Sequence, residues 1–238
     1  MNLFNITVCI TGGNKGLGRE IVKILLKQCK KIIVIDRSEQ ILKHNKIEYI
    51  RIDLYKSLPE PREVDIFISN LGMSLGNKKF DDISENEIDQ MLFINIKLQF
   101  WFYKNFIYKK FVFINSVTSF RGIENYSLYC SCKSFIKTFN QSLLREGSNT
   151  MIVYPYKINT QMFKEIKCLG VLEPDYVAAR VIKGLENDSK EIYVPFIFRY
   201  CEFILGLLPM CVTNWILNFL LKNNFNLCLL LLFCTTKN

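Results

Sequence analysis

The sequence contains a single histidine, His44, and this scarcity narrows the chemistry open to the protein. A metal site built from several histidines is excluded, and a Ser-His-Asp hydrolase triad could use only that one residue. No two of the nine cysteines stand in a C-x-x-C pair, and the closest two are Cys130 and Cys132. We therefore expect no zinc ribbon, no thioredoxin-type redox motif and no bound metal.

Charged residues are also scarce, at 22% of 238 residues against 50% hydrophobic residues. This balance is typical of one domain with a full core and not of a disordered chain. The net charge of +9 suits anionic surfaces or phosphate-bearing ligands without choosing between them. The N-terminus lacks the basic start and small-residue cleavage site of a secretory signal, so we predict a cytoplasmic protein with reduced cysteines.

Short apolar runs alternate with amphipathic stretches over the first two thirds of the chain. Runs typical of buried strands lie at 5–10, 31–35, 47–52, 64–68, 111–115 and 150–154, and helical patterns at 16–28, 84–107 and 128–146. Strands that are apolar on both faces are covered on both sides. We therefore predict an α/β fold with a doubly wound parallel sheet, the Rossmann fold, in one domain over residues 1–196.

The C-terminal part is almost free of charge. Residues 203–221 contain no charged side chain, and Lys222 is the only one between Glu202 and Lys237. A stretch of this length just reaches the roughly 18 apolar residues that span a bilayer. We predict a hydrophobic helical extension over residues 197–238.

Pro209 and the polar residues Asn214 and Asn218 weaken a spanning helix and favour helices in a membrane interface or over an apolar pocket. The run LCLLLLFC at residues 227–234 is too short to span a bilayer alone. Peripheral or monotopic contact with an intracellular membrane surface is the favoured interpretation. A substrate lid or a dimer interface is the alternative.

A glycine-rich turn connects the first predicted strand to the first predicted helix. Residues 11–18 read TGGNKGLG, and Asp36 ends the second predicted strand. Glycines allow the backbone to approach a pyrophosphate closely, with the positive N-terminus of the helix beneath it. No Lys-Ser or Lys-Thr pair follows the glycines, which excludes a P-loop. The pattern predicts a dinucleotide site.

The spacing T-G-x-x-x-G-x-G resembles that of the short-chain dehydrogenase/reductase family. Tyr129 and Lys133 supply the family's Y-x-x-x-K, Ser116 lies thirteen residues before the tyrosine, and Asn95 matches the family's catalytic asparagine. SNLG at 69–72 matches the family's N-N-A-G, and Asp53-Leu54 matches the Asp-Val or Asp-Leu pair that lies near the adenine. PYKINTQM at 155–162 matches the P-G-x-x-x-T-x-M segment that holds the nicotinamide. The resemblance covers about residues 5–196.

The resemblance implies a catalytic tetrad of Ser116, Tyr129, Lys133 and Asn95. Tyr129 would exchange a proton with the substrate oxygen, and Ser116 would hydrogen-bond that oxygen. Tyrosine and lysine at i and i+4 share a helix face, so the ammonium would lower the phenol pKa. Lys133 would also bind the nicotinamide ribose, and Asn95 would hold a water of the proton relay.

The resemblance also implies the residues that contact the cofactor. They are Thr11, Gly12, Asn14, Lys15, Gly16, Leu17, Gly18, Asp36, Arg37, Asp53, Leu54, Asn70, Gly72, Tyr129, Lys133, Pro155 and Thr160. Asp36 would bind the adenosine ribose hydroxyls and repel a 2′-phosphate, whereas Lys15 and Arg37 stand where NADP-preferring members carry basic residues. NAD is therefore favoured, and NADP is the alternative.

Three departures from the family pattern stand out. Tyr156 replaces a glycine, Ser69 and Leu71 alter the element after the fourth strand, and the loop at 162–173 is short. A short lid leaves the hydrophobic extension as its substitute. None of the departures removes a catalytic group.

Bases and aromatics interleave at residues 97–113, a pattern found in nucleic-acid binding. In the family's layout this segment is a helix end and a strand, so we expect core or dimer contacts and no nucleic acid.

The expected function is an NAD(P)-dependent oxidoreductase that interconverts an alcohol and a ketone or aldehyde. The substrate would be small and lipophilic, of steroid, retinoid or acyl-chain type, and the protein a homo-oligomer (dimer or tetramer). One alternative is a cofactor-binding, weakly catalytic interaction or sensor module at a membrane. Another is a soluble reductase whose C-terminal extension builds a dimer.

Overall fold

The computed structural model describes residues 2–163 and 170–222. Its seven strands form one parallel sheet in the order β3-β2-β1-β4-β5-β6-β7. The strands are β1 (Thr7–Thr11), β2 (Lys31–Asp36), β3 (Ile47–Arg51), β4 (Glu63–Ser69), β5 (Ile107–Ile114), β6 (Thr150–Pro155) and β7 (Glu191–Val194). The helices are α1 (Gly16–Leu25), α2 (Glu85–Leu92), α3 (Leu98–Asn105), α4 (Ser127–Arg145), α5 (Pro174–Glu186), α6 (Phe198–Leu207) and α7 (Met210–Lys222).

The sheet is covered on both faces, as the apolar strands predict. One core cluster joins the sheet to α1 and α5, through residues such as Ile21 and Val181. A second joins the other face to α3 and α4, through Phe102 and Ile136. The predicted doubly wound α/β fold is confirmed. Strands are added from β1 to β3 towards one edge of the sheet and from β4 to β7 towards the other edge. Ligands of such sheets bind in the crevice at this switch point, here between β1 and β4.

The six predicted strands all form, and no helix lies between β2 and β3. Strand β5 begins at Ile107, earlier than the apolar run at 111–115. The strand can include the charged residue Lys110 because its ammonium pairs with a carboxylate. Lys110 is fully buried, and its ammonium forms an ion pair with Asp188. Helix α5 and the four-residue strand β7 were not predicted from the sequence pattern.

The aromatic segment at 97–113 packs in the interior. The ring of Phe67 lies 4.8 Å from that of Phe102 and 5.0 Å from those of Phe106 and Phe111, measured between centroids. These rings form a continuous cluster between β4, β5 and α3. Such pairs stabilise a core beyond the area they bury.

Two helices follow the last strand. Large apolar side chains on α6 and α7 are exposed, including Phe203 at 66%, Leu207 at 70%, Met210 at 78% and Trp215 at 68%. Within the described residues, no helix is both long and apolar enough to cross a membrane. The run at 227–234 lies outside the described residues.

Candidate active site

The predicted site residues come together at the carboxyl edge of the sheet, around the ends of β1, β4, β5 and β6. Loops from these strand ends meet the N-terminus of α1 and one face of α4. Three groups can be distinguished: a glycine turn after β1, a polar segment after β2, and a cluster of Ser116, Tyr129, Lys133 and Asn95 further along the edge.

The glycine turn has a backbone that only glycine accommodates. Gly12 and Gly16 have φ angles of +65° and +51°, which L residues rarely adopt. A Cβ at Gly18 would lie 2.1 Å from the Gly12 carbonyl oxygen, and one at Gly16 would lie 3.1 Å from a methyl carbon of Thr160. The turn is therefore tight, and the segment after β6 reaches it. Helix α1 starts directly behind, with its free N–H groups at the turn.

Two predicted contact residues instead connect the strand ends to each other. The Thr11 hydroxyl accepts hydrogen bonds from the backbone N–H groups of Asn70 and Leu71, both at 3.1 Å. The Asn70 amide donates to the carbonyls of Thr11 and Gly12, both at 3.0 Å. These bonds shape the glycine turn from the β4 side.

Asp36 lies at the end of β2 within a hydrogen-bond network. One carboxylate oxygen accepts from the N–H and the hydroxyl of Ser38, at 3.0 and 2.8 Å, and the other accepts from the Asn14 N–H at 3.3 Å. The Asn14 side chain is buried, and its amide donates to Ser38 and Glu39. Asn14 therefore holds the segment after β2 in place. Sequence reasoning missed Ser38, because a loop serine carries no pattern of its own.

Five further predicted residues have clear positions. Lys15 and Arg37 are exposed beside the glycine turn and Asp36. The Asp53 carboxylate accepts from the Tyr55 N–H at 3.1 Å and shapes the turn after β3, while Leu54 is buried in the core. Leu17 is likewise a buried core residue of α1.

Ser116 and Tyr129 form a hydrogen-bonded pair at the end of β5. Both are buried, and the Ser116 hydroxyl also accepts from the Thr118 N–H at 3.2 Å. Burial raises the pKa of Tyr129 above its ordinary value, although the bond to Ser116 acts in the opposite direction. The expected lowering of the Tyr129 pKa by Lys133 is not observed. The Lys133 ammonium lies over the Tyr129 ring, 5.7 Å from its centroid.

Both the ammonium and the backbone carbonyl of Lys133 form hydrogen bonds at the end of β5, with Ile114 and with Asn115, which follows the strand. Its ammonium donates to the Ile114 carbonyl at 3.1 Å, and its own carbonyl accepts from the Asn115 amide at 3.1 Å. Burial lowers the pKa of Lys133 to about 8. An ammonium has three N–H donors, and in the described part of the chain one acceptor is identified. Asn115 was not predicted, because its role depends on the approach of α4 to β5.

Asn95 lies in a five-residue π-helical segment, Phe93–Lys97, between α2 and α3. Its side chain forms a two-way contact with Met73: the amide donates to the Met73 carbonyl at 2.9 Å, and the amide oxygen accepts from the Met73 N–H at 3.0 Å. A Cβ at Gly72 would lie 3.3 Å from this amide oxygen and 3.7 Å from the Lys133 ammonium nitrogen. Gly72 therefore lies close to both Asn95 and Lys133, and a side chain at this position would crowd the Asn95 amide oxygen.

The segment after β6 leads from the sheet to the C-terminal helices. Pro155 is the last, buried residue of the strand. The ring of Tyr156, the residue that replaces the family's glycine, stacks on Phe198 of α6 at 5.1 Å and 18°. The C-terminal extension thus packs directly on the segment predicted to hold the nicotinamide.

A shallow depression lies beside Tyr129, and its volume of about 10 Å³ holds about one water molecule. Its lining is mainly apolar and includes Leu75, Ile83, Met91, Tyr126 and Leu128. A backbone hydrogen bond from Lys78 to Asn125, 3.0 Å long, closes one side.

These features fit a dinucleotide cofactor. The glycine turn leaves no room for a Cβ at Gly18, α1 offers free N–H groups for a pyrophosphate, and the buried Lys133 ammonium has donors to spare for ribose hydroxyls. The Asp36 carboxylate is the group expected at the adenosine ribose.

Comparisons with known proteins agree with the fold. The family model for short chain dehydrogenase matches residues 54–168. Human epidermal retinol dehydrogenase 2 is 27% identical over 172 residues, covering 63% of this chain and 55% of that protein, so this chain spans about half its length. Rat 17-beta-hydroxysteroid dehydrogenase 13 is 27% identical over 224 residues, covering 79% of this chain and 74% of that protein.

Solved structures show the same architecture. A short chain dehydrogenase from Burkholderia cenocepacia, solved in complex with NADP, superposes with a TM-score of 0.70 at 14% identity, covering 87% of this chain and 95% of that one. The chain is therefore similar in sequence to short chain dehydrogenases over residues 54–168 and has the fold of their solved structures.

Proposed function

We propose that this protein binds NAD(P) and interconverts an alcohol and a ketone or aldehyde on a small lipophilic substrate. The observation that carries the proposal is the hydrogen-bonded pair of Ser116 and Tyr129 beside the buried Lys133, at the edge of the sheet where the glycine turn opens. A structural role alone does not require three polar side chains buried around one point.

When bound, the nicotinamide supplies or accepts the hydride. Tyr129 then donates a proton to the substrate oxygen in reduction, or accepts one in oxidation. Ser116 hydrogen-bonds the same oxygen and stabilises its developing negative charge. The Lys133 ammonium binds the ribose hydroxyls. Asn95 completes the tetrad by holding the segment at Gly72.

NAD is the favoured cofactor and NADP the alternative. The Asp36 carboxylate already accepts three hydrogen bonds and is held in place to accept those of the adenosine ribose. A 2′-phosphate would meet its negative charge. Lys15 in the glycine turn and Arg37 next to Asp36 are exposed. Their positive charges would favour the 2′-phosphate of NADP.

The lipophilic substrate is supported by the names of two relatives, a retinol and a hydroxysteroid dehydrogenase. Retinoid, steroid and acyl-chain alcohols are therefore the classes to test. We further propose that residues 1–196 form the catalytic domain and that the protein is a homo-oligomer.

For residues 197–238 we propose peripheral or monotopic contact with an intracellular membrane surface, in a protein that otherwise lies in the cytoplasm. The exposed apolar side chains of α6 and α7 support this, together with the absence of charge from 203–221. Flotation with anionic and neutral liposomes tests it. A dimer that does not float would support the alternative, in which the extension builds the oligomer.

The experiment that tests the enzyme proposal is titration of the purified protein with NADH and with NADPH, followed by nicotinamide fluorescence and by quenching of Trp101 and Trp215. Saturable binding of either, followed by turnover of a retinoid or steroid alcohol, is expected. Tighter NADPH binding would mean that Lys15 and Arg37 outweigh Asp36. Binding of one cofactor without turnover would favour the sensor module, and binding of neither would refute the proposal.

A further inference from the structure

Gln99, a residue with no role in the function proposed above, lies in the centre of the helix that carries Asn95. It is 2% exposed, and its amide donates to the Asn95 backbone carbonyl at 2.8 Å. The bond runs from residue i to residue i−4, inside a helix whose geometry is already disturbed. A side-chain bond of this kind competes with the regular backbone ladder.

The acceptor of this bond lies in the π-helical segment. A π turn widens the helix, and such turns are frequent at functional sites. Asn95 lies in the middle of Phe93–Lys97 and is fully buried. The Gln99 amide gives the Asn95 carbonyl a side-chain donor inside this irregular turn.

The amide oxygen of Gln99 contributes nothing to stability. It is buried, and no partner for it is found among the described residues. A side chain present only for packing would avoid such an oxygen, because burying it unpaired is unfavourable. The bond to Asn95 is therefore the contact that distinguishes glutamine from an apolar residue of the same length.

The contact continues towards the predicted cofactor site. The Asn95 side chain holds the N–H and carbonyl of Met73, and Gly72 lies between Asn95 and the Lys133 ammonium. A shift of Asn95 would move the backbone of Gly72 into the space beside Lys133.

We propose that Gln99 is a positioning residue for the cofactor pocket: by holding the Asn95 carbonyl it keeps the Asn95–Met73 contact in register and the backbone of Gly72 in place beside Lys133. The inference rests on the proposed function only where NADH serves as the probe.

The first test is Gln99→Met in the full chain. Methionine fills the same space without an amide, and it removes the unpaired oxygen, so global stability should change little. Without the bond, the Met73 amide should exchange with deuterium about 3- to 10-fold faster, and NADH should bind weaker by a similar factor. Exchange is followed on peptides that cover residues 70–76, in protein without cofactor.

Asn105→Ala is the matched control. The Asn105 amide makes the same bond, to the Trp101 carbonyl at 2.8 Å in the same helix, but Asn105 is exposed and distant in sequence from Asn95. This change should leave exchange at 70–76 and NADH affinity as in the wild type. Faster exchange in both variants would indicate general loosening of the helix and would overturn the proposal.

Gln99→Glu keeps the proposal testable if the methionine variant fails to fold. A protonated glutamic acid can donate one hydrogen bond to the Asn95 carbonyl, whereas the carboxylate cannot, and burial raises the pKa of such a carboxyl. NADH affinity relative to wild type should therefore fall about 10-fold between acidic and alkaline pH. Lys133 titrates in both proteins, so the ratio removes its contribution.

Two results would overturn the inference: unchanged exchange at 70–76 in Gln99→Met, or an affinity ratio for Gln99→Glu that does not vary with pH. Failure of the proposed function has a different signature, because the wild type itself would then bind neither NADH nor NADPH. In that case the exchange comparison still decides whether Gln99 holds the Asn95–Met73 contact.

Discussion

Glu202 of α6 forms an ion pair with Lys137 of α4, and this pair joins the C-terminal extension to the helix that carries Tyr129 and Lys133. Lys137 lies one helical turn beyond Lys133, on the same face. Its ammonium also lies over the Phe120 ring, 5.1 Å from the centroid, at the end of the turn that begins at Ser116. Helix α6, the first helix of the extension, therefore packs against the elements that carry Ser116, Tyr129 and Lys133.

Glu202→Gln tests this connection. Glu202 also accepts a hydrogen bond from the Tyr193 hydroxyl at 2.8 Å, which glutamine can retain, so the change removes mainly the charge. Leaving Lys137 unpaired in a partly buried position should destabilise the protein by about 1–3 kcal/mol. Urea unfolding and amide exchange over residues 198–207 measure the effect. Exposed Glu124, changed to Gln, is the control, and equal behaviour of the two variants would show that the pair does not anchor α6.

Tyr129→Phe removes the proposed proton donor with little change of shape. Turnover of a retinoid or steroid alcohol should fall by about 10²- to 10⁴-fold. NADH affinity should remain close to that of the wild type, since the bond from Lys133 to Ile114 does not involve the phenol. Steady-state rates and NADH titration check both parts. Tyr176→Phe, an exposed position on α5, should behave as the wild type, and full activity in Tyr129→Phe would remove Tyr129 from the mechanism.

Lys133→Met should stabilise the protein without cofactor at neutral pH. Burial lowers the Lys133 pKa from 10.5 to about 8, so the folded state holds its proton less tightly than the unfolded chain. The resulting loss of stability, about 3 kcal/mol, is complete below pH 8 and disappears as the pH rises towards 10.5.

The stability difference between Lys133→Met and the wild type should thus be largest near pH 7 and shrink above pH 8. Urea unfolding of both proteins from pH 7 to 10 measures it. A difference that stays constant over this range would mean that Lys133 titrates normally. The same variant should lose NADH affinity, because no ammonium remains for the ribose hydroxyls.

Asp36→Asn tests the cofactor choice. Asparagine keeps an acceptor for the Ser38 N–H and hydroxyl, so the segment after β2 should hold its shape while losing its negative charge. The ratio of NADPH to NADH affinity should rise about 10-fold or more, a change of roughly 1.4 kcal/mol. Glu39→Gln removes a charge from the same segment at an exposed residue and should leave the ratio unchanged. A similar ratio in Asp36→Asn and the wild type would exclude Asp36 as the selector.

Much of the fold could be predicted because its signals are local. Continuous apolar runs identified β1 to β6, and the glycines at 12, 16 and 18 marked the turn before α1. Strand β7 has only four residues, and the first part of β5 contains Lys109 and Lys110. Whether a charge can lie in a strand depends on its partner, and Asp188 is 78 residues away from Lys110.

The positioning residues of the site could not be predicted for a similar reason. Asn115 and Gln99 are ordinary amides in sequence, and their roles depend on the approach of α4 to β5 and on the π turn at Asn95. Conversely, Thr11 and Asn14, predicted to contact the cofactor, have side chains that accept or donate bonds within the protein.

The sequence by itself determined the order of β1 to β6 along the chain, the glycine turn and the spacing of Ser116, Tyr129 and Lys133. These features are local, because turn geometry and helical periodicity act over a few residues. Only the tertiary structure decided the ionisation of these groups and the packing of α6 on the site. Burial raises the pKa of Tyr129 and lowers that of Lys133, and burial depends on which distant segments cover a side chain. The contacts of Tyr156 with Phe198 and of Lys137 with Glu202 likewise arise from segments that meet only when the chain is folded.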